Sequence, residues 1–157
     1  MTSVSELNKG KVRLFVEAVW NEGRLDLIEE LVAADYVGHL PCLALGVFGP
    51  QEVRRVISSR RRAHPGLHIR IEDQVAEEDR VVTRWQATVP APHDPAAGAA
   101  GAGSPCFAGI SIVRLLAGKQ VDSHTECRTI FAGYHAVGPR MVTPALQRPG
   151  GREPSAP

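Results

Sequence analysis

Residues 64–72 read His64-Pro65-Gly66-Leu67-His68-Ile69-Arg70-Ile71-Glu72, and within them the chain changes its period. Before His64, Val53, Val56 and Ile57 recur at helical spacing in a segment that opens at Gly49-Pro50 and stops at His64-Pro65-Gly66. Proline suits a first helical turn, where its missing N–H has no partner to lose. After Gly66, Leu67, Ile69 and Ile71 alternate with His68, Arg70 and Glu72, the pattern of a strand with one buried face.

The same division holds outward in both directions. Upstream, Val12, Phe15, Val16 and Val19 form one apolar stripe of a helix from about Ser5 to Trp20, broken at Asn21-Glu22-Gly23. Leu27, Ile28, Leu31 and Val32 make a second, shorter stripe that fades at Asp35-Tyr36. Downstream, Val81, Thr83, Trp85, Ala87 and Val89 alternate with Val82, Arg84, Gln86 and Thr88 as a second strand. Cys106–Leu116 and Gln120–Ile130 read as two more, joined by Ala117-Gly118-Lys119. The stretch 90–105 is nearly all Pro, Ala and Gly and predicts a flexible loop, and the Pro/Gly-rich segment 133–157 predicts a disordered tail. Helices followed by strands predict one α+β domain over 1–132, three helices against a curved antiparallel sheet with a cone-shaped cavity between them.

Composition narrows the partners. With 18 basic against 17 acidic residues, the formal charge of +1 provides no field to attract nucleic acid or an anionic membrane. Arg54, Arg55, Arg60, Arg61 and Arg62 crowd the third helix and read as a solvated face with positive charge near its C-terminus. No apolar run approaches the ~20 residues of a membrane helix, and the N-terminus lacks the basic start and apolar run of a signal peptide. The three cysteines, Cys42, Cys106 and Cys127, form no C-x-x-C pair, which points to a reducing, cytoplasmic setting. The six histidines are dispersed, with no helical i, i+4 pair, so no metal is expected, nor any other cofactor. Neither a phosphate-binding glycine loop nor a nucleophile elbow is present.

Val19-Trp20-Asn21-Glu22-Gly23-Arg24-Leu25-Asp26 and Ala34-Asp35-Tyr36-Val37-Gly38-His39-Leu40-Pro41 resemble the opening of the SnoaL-like polyketide cyclases, within the nuclear transport factor 2-like superfamily. Gly49-Pro50-Gln51-Glu52 is similar to the start of that family's third helix. Gly109-Ile110-Ser111-Ile112-Val113-Arg114 and Gly118-Lys119-Gln120-Val121-Asp122 are similar to its closing hairpin.

Alternation places Asp122, His124 and Glu126 on one face of the last strand and Val121, Ser123, Thr125 and Cys127 on the other. Spacing alone is compatible with a solvated face for the first set. The resemblance implies instead that Asp122 points into the cone as general acid or base, its pKa raised by desolvation. His124, where relatives usually carry an aromatic residue, either orients Asp122, acts as a second proton carrier or fills that slot. By resemblance His39 donates to a substrate oxygen; a bond to a backbone carbonyl is its alternative. Trp20, Tyr36, Trp85, Phe107, Ala108 and Ile110 are expected to contact the substrate. Two departures stand out: Pro90-Ala91-Pro92-His93 replaces a Thr-His-Thr-Gly-like segment, and Ala108 stands where relatives often have a hydrogen-bonding residue.

The resemblance thus implies cofactor-free acid/base chemistry, an intramolecular aldol-type closure of a polyketide-derived or polycyclic ketone, in a homodimer formed through the outer sheet face. The alternatives are a non-catalytic domain that binds a small hydrophobic molecule or mediates dimerisation, or a related isomerase, dehydratase, epoxide hydrolase or hydroxylase.

Overall fold

The computed structural model describes residues 2–40, 46–90 and 106–130. Helix α1 (Val4–Leu14) is capped by Ser3, whose Oγ accepts the Glu6 N–H at 3.2 Å. It runs on through wider π-helical turns at Phe15–Asn21 and stops at Gly23, whose φ of +77° glycine adopts without strain. A 3₁₀ turn (Leu25–Leu27) leads into the single-turn α2 (Ile28–Leu31). The expected second helix ends there, because the chain turns extended at Val32 and forms β1 (Val32–His39). Val32, Tyr36 and Gly38 are buried along β1, and its β-branched and aromatic residues suit a strand better than another helical turn. Then come β2 (Val47–Phe48), α3 (Gly49–Ala63), β3 (His68–Glu77), β4 (Arg80–Thr88), β5 (Cys106–Leu116) and β6 (Lys119–Ile130).

The six strands form one sheet in the order β2-β1-β6-β5-β4-β3. It is mixed rather than wholly antiparallel as expected, since β1 runs parallel to β6 while the other neighbours are antiparallel. The register slips between Ile71 and Asp73 and between Arg114 and Leu115. Such bulges bend and twist a sheet, and here the helices fill its concave side. Val19, Ile28, Leu31, Val32, Val53 and Ile57 pack as one buried cluster, and Val12, Val81, Val113 and Leu115 as another.

Two polar anchors tie helices to the sheet and to each other. The Asn21 side chain donates to the Ile69 carbonyl at 2.8 Å and accepts the Ile69 N–H at 2.7 Å, serving β3 as a one-residue partner strand. From α3, Arg61 Nη1 donates to the Trp20 and Asn21 carbonyls at 2.5 and 2.6 Å, satisfying groups that a helix end leaves open. Among the described residues no helix is long and apolar enough to cross a membrane. The expected loop, apart from Pro90, and the expected tail at 133–157 lie outside the described residues.

Candidate functional site

Between the helices and the concave sheet face lies a cavity of about 360 Å³. Phe15, Val16 and Trp20 wall it from the first helix, and Val53, Val56, Ile57 and Arg60 from α3. The sheet contributes Tyr36, Thr83, Trp85, Phe107, Ser111, Gln120, Ser123, Thr125 and Cys127, and His64 and Arg128 add polar groups. Of the expected contact residues, Trp20, Tyr36, Trp85 and Phe107 lie on this wall.

Asp122, His124, His39, Ala108 and Ile110 do not. Register explains why. Ser123 is opposite Val113 and Thr125 opposite Ser111, and Val113 is buried in the core. Asp122 is opposite Arg114 and His124 opposite Ile112, which is 42% exposed. The Asp122 face is therefore the convex, solvent side, and the cavity receives the hydroxyls of the alternate residues. The cavity position expected for Asp122 from the resemblance is corrected accordingly. Among the described residues that line the cavity, none is a carboxylate.

Counting protons shows what the cavity offers. Trp85 Nε1, which can only donate, bonds Ser111 Oγ at 3.0 Å, and Ser111 Oγ is 2.9 Å from Thr125 Oγ1. These two bonds use the indole proton and one hydroxyl proton. Whichever way the Ser111–Thr125 bond points, one hydroxyl proton is left to give. Tyr36 Oη and Ser123 Oγ, 2.6 Å apart, likewise share one proton and keep one. Burial pushes the Tyr36 phenol above its ordinary value; the Ser123 bond opposes this and the negative charge of Asp122 adds to it, so the group is a neutral donor. Gln120 is 4% exposed and its Nε2 has no hydrogen-bond partner. Buried polar groups are rarely left so, and an unpaired one costs about 1–3 kcal/mol.

Two glycines make room for the aromatic donors. A Cβ on Gly109 would collide with the Trp85 indole, and one on Gly38 would come within 2.5 Å of the Tyr36 hydroxyl. Both rings lie across bare backbone to reach their serines.

On the convex face, His39 and His124 are register partners across the parallel β1–β6 seam, their rings stacked at 4.2 Å with 22° between planes. Asp122 Oδ1 is 3.5 Å from His124 Nδ1. The sequence reading missed Gln120, Ser111, Ser123, Thr125 and His64 as cavity residues. A signal existed for β6: its Ser/Thr/Cys face is the less polar of the two, and the less polar face goes inward.

The family model of SnoaL-like polyketide cyclases matches residues 10–127. No curated protein matches the chain. Among solved structures, a candidate polyketide cyclase from Acidithiobacillus ferrooxidans is similar at 20% identity and TM-score 0.66, over 80% of this chain and 91% of that one. IdmH from Streptomyces antibioticus, a candidate polyketide cyclase, is similar at 23% identity and TM-score 0.63, over 76% and 91%. An LEH-like epoxide hydrolase of M. tuberculosis is similar at 14% identity and TM-score 0.62, over 80% and 86%. At these identities the likeness is one of fold.

Proposed function

The chain belongs to the SnoaL-like polyketide cyclase family, and on that premise we propose that it closes a ring in a polyketide-derived ketone by cofactor-free aldol-type chemistry inside this cavity. The observation that carries the reading is the set of surplus hydroxyl donors on a mostly apolar wall: the Ser111–Thr125 pair and the Tyr36–Ser123 pair. Donors aimed at an oxygen that gains charge in the transition state are worth far more in a dry site than in water. A skeleton that is mostly apolar but bears carbonyl oxygens along its length complements such a wall, and the volume is within the usual range of roughly 300–1,000 Å³ for small-molecule sites.

The steps follow from the groups available. His64 is the one imidazole among the described lining residues. It takes an acidic α-proton from the bound ketone, the enolate carbon bonds to a second carbonyl carbon of the same molecule, and the resulting alkoxide recovers the proton from His64. No atom is gained or lost. The walls hold the chain folded so that the two carbons meet, and the surplus donors stabilise first the enolate and then the alkoxide.

The lack of a carboxylate on the described wall favours a second reading, a domain that binds the same class of molecule without transforming it. Incubation with an aromatic ester bearing an unclosed poly-β-ketone side chain separates the two. Trp20 and Trp85, both on the wall, report binding by fluorescence, and mass spectrometry with chromatography reports a ring-closed isomer of unchanged mass. Turnover that falls about a hundredfold to a thousandfold in Thr125→Val supports the cyclase. Binding without product selects the second reading, and neither binding nor product overturns both.

A further inference from the structure

We propose that His39, Asp122 and His124 form a binding site for a divalent transition-metal ion, zinc by preference, on the convex face of the sheet. The site draws on nothing in the cavity. His39 and His124 are paired residues on adjacent hydrogen-bonded strands, so the backbone fixes their Cβ positions, and Asp122 stands two residues before His124 on the same face. One ligand atom from each of the three lies within 4.8 Å of the other two. Two imidazole nitrogens and a carboxylate oxygen are the donor set that zinc and its neighbours take in open sites, with solvent in the remaining position.

A zinc ion at ~2.0–2.1 Å from each nitrogen in tetrahedral geometry needs donors about 3.3 Å apart. His124 Nδ1 and Asp122 Oδ1 are already at 3.5 Å. The imidazoles must turn from face-to-face stacking until their nitrogens converge. Both are exposed, so χ rotation brings this about without disturbing the core. The site was invisible in the sequence because only the non-local pairing of β1 with β6 brings His39 to His124.

The bound ion would pin β1 to β6, the one parallel pairing among the described strands. The full-length chain is titrated calorimetrically with zinc chloride, and its thermal unfolding is followed with and without the metal. One ion per chain is expected, with a rise in melting temperature. His124→Ala and His39→Ala should each weaken binding about tenfold or more and abolish the rise, Asp122→Asn should weaken it less, and the control His68→Ala should bind as the parent does. Cobalt in place of zinc should give no thiolate absorption band, which excludes the cysteines as ligands. No binding, binding unchanged in the His39/His124 double variant, or a thiolate band would each overturn the proposal. Circular dichroism confirms that the variants, changed only at surface positions, are folded.

Discussion

The Tyr36–Ser123 pair gives the sharpest test of the cavity's construction. Tyr36 is 9% and Ser123 7% exposed, and their oxygens are 2.6 Å apart. Tyr36→Phe leaves the Ser123 hydroxyl in the core without its partner, and Ser123→Ala does the same to the phenol. Each should cost about 1–3 kcal/mol, the penalty for a buried polar group that loses its bond. The double variant removes both polar groups, so its cost should fall short of the sum by roughly 0.5–3 kcal/mol. Urea unfolding followed by tryptophan fluorescence measures all four proteins. Repeating the series at rising pH adds a second readout. The native phenol titrates above the ordinary value of 10.0, so above pH 10 the unfolded chain has shed a proton that the folded one keeps. Stability is therefore lost as pH climbs from 10 toward the native pKa, and below pH 10 the group contributes no slope. Tyr36→Phe should flatten that decline relative to the parent. Strict additivity would refute the pairing, and an identical alkaline slope in Tyr36→Phe would refute the burial.

Two further substitutions probe the frame around the cavity. Asn21→Ala removes both bonds to the Ile69 backbone and should destabilise by about 1–3 kcal/mol, with faster hydrogen exchange at the Ile69 amide; unchanged exchange would mean that solvent serves β3 equally well. Gly109→Ala puts a Cβ against the Trp85 ring and 2.7 Å from the Glu126 carbonyl oxygen. Overpacking of this kind costs about 1–3 kcal/mol, and the indole should move and shift its emission, so an unaltered spectrum would show that the ring does not rest on Gly109.

The parts of the fold set by local chemistry were legible in the chain. The first helix with its break at Gly23, the helix opening at Gly49-Pro50, and the four strands after Gly66 all follow from periodicity and turn residues. β1 was not, because Leu31-Val32 continues the preceding helical stripe and its main partner, β6, is far away in sequence. Strand parity correctly separated Asp122 and His124 from Ser123 and Thr125. Which set faces the cavity depends on the pairing of β6 with β5, a tertiary fact, and there the resemblance pointed to the wrong side. The aromatic wall was easier, since Trp20, Tyr36 and Trp85 are large apolar residues that a small domain buries wherever it can. Gln120 could not be singled out: only the folded chain shows that its amide is enclosed and without a partner.

The place of β1 in the sheet also has a meaning in time. Its hydrogen-bonded neighbours are the two-residue β2 and β6, and β6 spans Lys119–Ile130. On the ribosome, residues 32–39 therefore emerge long before the strand that completes their pairing, and the helices that frame the cavity have no finished sheet to rest on until then. Non-local pairing of this sort slows folding and leaves an unpaired strand exposed meanwhile. The cavity is thus completed late in a newly made molecule, and a synthesis halted before residue 119 would lack the strand that carries Gln120, Ser123 and Thr125 to its wall.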